Sequence, residues 1–144
     1  MRTTTPQSQP LEPADCYLLL RTSCVGRVVS TDNALPLVLP VNYCLDGHNV
    51  VFRTSSDGRL AAATNNVVVA FEVDSIDVET WTGWSVVVTG VASPLTSPGD
   101  VVRAGQLGLV SWLGEERDHF VQIVPGLVTG RRLHVSPAEP PPLA

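Results

Sequence analysis

Between residues 53 and 59 the chain places two guanidinium groups, Arg53 and Arg59, around the hydroxyls of Thr54, Ser55 and Ser56 and the glycine Gly58. A guanidinium fork pairs with two phosphate oxygens at once, and hydroxyls complete such a cradle. The alanine-rich run after Arg59 favours helix, so the cluster also sits at a helix start, where backbone N–H groups lack an internal partner. The chemistry on offer is the holding of a phosphate or a similar anion. A solvated hairpin end with an ordinary Ser or Asp helix cap explains the same residues equally well, and on these residues alone both readings stand open.

A hairpin must position these groups. Asp46-Gly47 separates two apolar runs and supplies the positive backbone angles of a two-residue turn, so residues 38–45 are predicted to pair antiparallel with residues 49–54. Arg53 and Thr54 then leave the end of the second strand. Pro36 and Pro40 limit where the first strand is centrally paired, because proline has no N–H to donate to a ladder. Upstream, residues 12–22 read as a helix with Pro13 in its first turn and Cys16, Leu19 and Leu20 on one face. Residues 24–31 read as a strand ending in a turn at Asp32-Asn33.

Downstream, residues 67–73 form a near-continuous apolar strand and residues 74–83 a polar loop carrying Asp74, Asp77 and Glu79. Residues 84–95 are the longest strand, bent or bulged at Gly90. Residues 98–107 form a short helix capped by Ser97, with Pro98 in its first turn. Residues 119–124 are the last core strand, and residues 128–135 return as an edge. About six strands and a few short helices, with turn signals at these intervals, describe a small antiparallel barrel. The glycine fingerprint of a dinucleotide-binding Rossmann unit is missing.

The 144 residues make one domain, expected over residues 12–135, between a flexible tail at 1–11 and a proline-rich tail at 136–144. A hydrophobic fraction of 44% and a charged fraction of 16% describe a globular chain, and the net charge of -5 argues against nucleic acid as a partner. Residues 1–10 lack the apolar stretch of a signal or membrane segment. Cys16, Cys24 and Cys44 have neither paired nor metal-like spacing and read as reduced, buried thiols of a cytoplasmic protein. No metal cluster and no nucleophile with a His–carboxylate partner stands out, and the catalytic residues stay unassigned.

Pro40-Val41-Asn42-Tyr43, the Asp-Gly turn, Val51-Phe52-Arg53-Thr54 and Gly58-Arg59-Leu60-Ala61 together resemble the flavin-binding hairpin of the pyridoxamine 5′-phosphate oxidase-like family, the FMN-binding split barrels. The segments 83–92, 112–125 and 129–133 agree in order and spacing, so the likeness spans about residues 12–133. It implies a mainly β, six-stranded antiparallel split barrel with a few short helices, forming a homodimer with FMN between the subunits.

The resemblance further implies that Arg53, Thr54 and Arg59 grip the phosphate, with arginine at 59 where relatives usually have lysine. Val41, Asn42 and Tyr43 would run along the isoalloxazine, and Phe52 and Leu60 would close its floor. Ser85 aligns with a polar ring contact, often glutamine, that comes from the partner subunit; serine is shorter. Trp112 falls at a flavin-site tryptophan, and His119 near a flavin-contacting arginine, although His119 also reads as a solvent-facing strand residue. Trp81 and Trp84 would cover the ring or serve as interface aromatics. The activity implied is reduction of a small organic substrate by hydride transfer at the flavin, with electrons from a nicotinamide. The alternatives are a non-catalytic flavin carrier or redox sensor and a deazaflavin F420-dependent reductase. The further basic residues that bind pyridoxal phosphate in the oxidases proper are not found, so that activity itself is not expected.

Overall fold

The computed structural model describes residues 7–55, 57–110 and 119–134. Their elements are β1 (Gln7–Pro10), α1 (Pro13–Arg21), β2 (Val25–Asp32), β3 (Leu35–Asp46), β4 (Asn49–Thr54), α2 (Arg59–Ala63), β5 (Val67–Asp77), β6 (Thr82–Pro94), α3 (Pro98–Gly105) and β7 (His119–His134). The strands lie in the order β1-β7-β4-β3-β2-β5-β6, and a further pairing of β7 with β6 closes the sheet into a barrel.

Alternation along the strands builds the interior. Val41 and Tyr43, Val50 and Phe52, Val69, Phe71 and Val73, Val86 and Val88, and Val121 and Ile123 all turn inward to one buried cluster. Gly26 makes room for the Phe71 ring, since a Cβ there would lie 2.3 Å from its Cζ. Helix α1 plugs one end with Cys16 and Leu20, both fully buried. The Tyr43 hydroxyl donates to the Leu20 carbonyl at 2.5 Å and anchors that helix.

The β3–β4 hairpin forms where predicted, with its turn one residue later. Asp46 pairs with Asn49, so Gly47 and His48 are the central residues. Gly47 alone has a positive φ, 62°, the pattern of a type II′ turn. The tip is pinned to α1: Arg21 donates to the Gly47 carbonyl at 2.8 Å, and the His48 ring stacks on Tyr17 at 3.8 Å. The β2–β3 turn is likewise one residue later than expected, at Asn33-Ala34, both left-handed. The bulge expected at Gly90 is present: Thr89 pairs with Leu127 and Gly90 with Pro125, which leaves Gly126 as the extra residue.

Four expectations are corrected. Gln7–Pro10, read as part of a flexible tail, form β1 on the far end of β7, where their backbone satisfies an otherwise open edge. Residues 74–77, read as loop, continue β5, because β6 starts early enough for Asp77 to pair with Thr82. Residues 119–124 and 128–134 are one strand, since Pro125 and Gly126 are absorbed by the bulge. The described strands number seven, against the six of the expected barrel. Of the cysteines, only Cys16 is fully buried; Cys24 is exposed. No helix among the described residues is long and apolar enough to cross a membrane.

Candidate functional site

Strand β3 pairs with β2 through residues 35–42 but with β4 only through residues 43–46. Its first eight residues therefore have one open edge. The Asp32–Leu35 pair closes a two-residue hairpin and exchanges its hydrogen bonds, so Pro36, Val38, Pro40 and Asn42 turn their backbone groups away from β2. The odd-numbered side bears this out, as Tyr43 N–H donates to the Cys24 carbonyl at 2.9 Å. Both prolines thus stand where no ladder bond is lost.

Between this edge, the end of β4 and α2 lies a cavity of about 450 Å³. Leu37, Leu39, Val41 and Leu60 give it an apolar floor, and Pro40 and Asn42 form its edge. Arg53, Thr54, Ser55, Gly58 and Arg59 line the polar end, and Val110 sits on the rim. The floor follows from the alternation of Leu37, Leu39 and Val41 on the inner face of β3.

The polar side chains are held. Asn42 Oδ1 accepts from Val110 N–H at 2.7 Å, while its Nδ2 donates to the Cys24 carbonyl at 2.8 Å. Arg53 Nη1 donates to the Leu109 carbonyl at 3.3 Å, and its guanidinium lies 5.2 Å from the centre of the Phe120 ring. Asn42 and Arg53 together fix residues 109–110 at the mouth of the cavity. Arg59 Nε donates to Asp32 Oδ2 at 2.7 Å, and the Ser55 hydroxyl bonds the Asp57 carboxylate. Thr54 pairs with His119, whose buried Nε2 has no hydrogen-bond partner. Helix α2 has only five residues and no side-chain cap, so its macrodipole adds little, and the cations must carry any anion binding.

The structure brings Val41, Asn42, Arg53, Thr54, Arg59 and Leu60 around one cavity. It does not bring Tyr43 or Phe52 there. Both are core residues: Tyr43 packs edge-on to Phe71 at 4.9 Å beneath α1, and burial pushes its hydroxyl up to about 12. Ser85 lies on the outer face of β6, between Asp74 and Arg131, away from the cavity of its own chain. Trp84 packs partly against the core, and Trp81 occupies the β5–β6 turn. Trp112 lies outside the described residues. Ser55, one of the hydroxyls read as part of an anion cradle, is in the lining; Leu37, Leu39 and Val110 join it without having been singled out, and the period-two pattern of the two leucines was the signal for them. No sequence signal pointed to Asp32 as the partner of Arg59, 27 residues away. No group of His, Cys, Asp or Glu among the described residues could hold a metal.

A closed antiparallel barrel with a cavity along an unpaired, proline-bearing strand edge defines a class, the split barrels. Residues 12–132 match the pyridoxamine 5′-phosphate oxidase family, and the chain belongs to it. It is 38% identical over 141 residues to the uncharacterized protein Rv0080 of Mycobacterium tuberculosis, covering 92% of each. Its fold is similar to that of an FAD binding protein from Mycobacterium smegmatis, with a TM-score of 0.75 and 33% identity over 87% of this chain and 97% of that one. It is similar also to a candidate pyridoxamine 5′-phosphate oxidase from Corynebacterium glutamicum, with a TM-score of 0.78 and 28% identity over 89% and 99%.

Proposed function

We propose that the chain binds a flavin nucleotide in this cavity and works as an oxidoreductase on a small organic substrate. The observation that carries the reading is the union, in one space, of the open β3 edge with Arg53, Thr54 and Arg59. The volume lies within the range of ligand pockets, about 300–1,000 Å³. The floor is apolar, as a flat ring requires, and the backbone edge at Pro40 and Asn42 meets its polar rim where a neighbouring strand would have paired. The FAD binding protein of Mycobacterium smegmatis supports a flavin as ligand.

When bound, the flavin supplies hydride transfer at its N5. The chain's own part is to bind and orient. Arg53, Thr54 and Arg59 hold the phosphate; Leu37, Leu39, Val41 and Leu60 keep water from the ring; Asn42 and Arg53 keep residues 109–110 in place at the mouth.

The site is completed by a second copy of the chain. On the outer face of the barrel Val68, Val91 and Val124 stand side by side on β5, β6 and β7, exposed by 67%, 47% and 47%. Leu127, also exposed, continues the patch, and Ser85 shares this face. A homodimer through it buries the valines and presents Ser85 of the partner subunit across the interface. The protein works in the cytoplasm, where the exposed Cys24 thiol stays reduced.

The test is the visible spectrum of the purified protein, with identification of the extracted cofactor by mass. An oxidised flavin shows two visible bands, whereas F420 shows one. Bleaching by NADH or NADPH, followed by reoxidation with an organic acceptor, marks an oxidoreductase; a flavin inert to both donors marks a carrier or sensor. A protein that takes up no flavin refutes the reading.

A further inference from the structure

Glu72 lies within the surface that the proposed dimer covers. On the outer face, Val68, Val91 and Val124 form a cross-strand row at one end, and Asp74, Ser85 and Arg131 form another at the other end. Between them run the rows of Ala70, Thr89 and Leu127 and of Glu72, Val87 and Thr129. An interface that buries the valines and also presents Ser85 to the partner subunit must therefore pass over Glu72. What it covers there is not neutral. Arg27, opposite Glu72 on β2, reaches Glu72 Oε1 at 3.2 Å and Asp74 Oδ2 at 3.6 Å. One guanidinium serves two carboxylates, so the trio carries an excess negative charge when both are ionised. Among the described residues, β6 adds Ser85 and Val87 to this part of the face and β7 adds Thr129, and none of these carries charge. Arg131 on β7 is turned toward β1, where it donates to the Ser8 hydroxyl and, at 3.0 Å, to the Ser8 carbonyl.

The Glu72 and Asp74 side chains are 27% and 35% exposed, and a second copy laid over them removes the water they still keep. Stripping water from a carboxylate whose charge is not matched favours its neutral form. Already in the single chain burial, and then the hydrogen bond and charge of Asp74, push Glu72 up from 4.5 to about 7 against the pull of Arg27. Resting on the dimer of the proposed function, we infer that its assembly is proton-linked: as two copies close over this face, each takes up a proton from solvent, held between Glu72 and Asp74. The copies then bind each other fully below about pH 7 and progressively less as pH rises above it, because association favours the protonated pair. Flavin binding, which the partner subunit completes, weakens along with the dimer.

The experiment is sedimentation of the full-length protein over a dilution series at about pH 6 and about pH 8.5, on either side of the Glu72 titration, with circular dichroism to show that the barrel is folded at both. The dimer dissociation constant should be at least about tenfold larger at the higher pH. Glu72→Gln puts an uncharged amide in place of the titrating carboxyl and should dimerise equally well at both pH values. Asp74→Asn leaves Arg27 and Glu72 as a neutral pair, so it should also hold the dimer at the higher pH, and it serves as the test should Glu72→Gln fail to fold. A native dimer that holds equally at both pH values, or a folded variant of either kind that keeps the full pH dependence, overturns the proton linkage and leaves the dimer standing. A protein that is monomeric at both pH values overturns the dimer reading and this one with it.

Discussion

Tyr43 and Arg59 show how differently two residues of one hairpin can be used. Tyr43 spends its side chain on the core, donating to Leu20 and packing on Phe71. Tyr43→Phe should therefore cost about 1 kcal/mol of folding stability by chemical denaturation and leave flavin affinity unchanged. Its pH dependence follows from burial. The folded protein holds the phenol proton up to about pH 12 against an ordinary value of 10, so the stabilisation is full below pH 10 and is lost as pH rises toward 12. The same substitution should flatten that alkaline loss. Arg59 is mostly exposed, and its surface pair with Asp32 contributes little to folding. Arg59→Ala should weaken flavin binding by about 1.5–3 kcal/mol with no comparable change in melting temperature. Arg53→Ala should lower both, because Arg53 also ties down Leu109 and lies against Phe120. Arg53, Thr54 and Arg59 could be grouped from the sequence because they leave one hairpin strand for a helix start, whereas Val41, Asn42 and Leu60 were placed with them only through the family resemblance. Tyr43 and Phe52, placed at the site by the resemblance, do not line the cavity: both side chains enter the barrel, and alternation does not say whether an inward side chain meets the cavity or the helix that plugs the end.

Among the elements, those with local causes were legible. A glycine sets the hairpin turn, two prolines mark the open edge, Ser97 caps α3, where it accepts from Asp100 N–H, and Gly90 marks the bulge. At Gly90 a Cβ would lie 2.0 Å from the Val124 carbonyl oxygen, so Gly90→Ala should destabilise the barrel by about 1–3 kcal/mol in thermal or denaturant unfolding. What escaped was set by pairing across long sequence distances: Gln7–Pro10 are exposed throughout and carry no alternation, and their strand exists only because β7 offers them an edge. The extension of β5 also collects charge, with Arg27 reaching Glu72 at 3.2 Å and Asp74 at 3.6 Å. Burial first, and then Asp74, push Glu72 up from 4.5 to about 7. In that interval the unfolded chain loses the proton before the folded one, so this group makes stability fall as pH rises from 4.5 to about 7. The melting temperature should accordingly be higher at about pH 5 than at about pH 8, and Glu72→Gln should remove that difference.

For the molecule as a whole, the proposed dimer gathers these features onto one surface. Val91→Asp, in the middle of the valine row, should give a monomer by light scattering with the circular dichroism of an intact barrel, and with weakened flavin binding as Ser85 of the partner subunit is withdrawn. A dimer that persists in that variant would place the interface elsewhere. Strand β7 bears on a different matter, the order of events during synthesis. It follows every other described strand in the chain, yet β1, β4 and β6 all pair with it. A nascent chain halted before His119 would hold β4 and β6 as bare edges, able to add strands from other chains. Closure must wait for that late segment and for contacts spanning most of the sequence, as between Ser8 and Leu133, which makes folding slow for the chain's size. Ribosome-stalled chains that end before β7 should be protease-sensitive and prone to aggregate, and protection should arrive in a single step once β7 has cleared the exit tunnel.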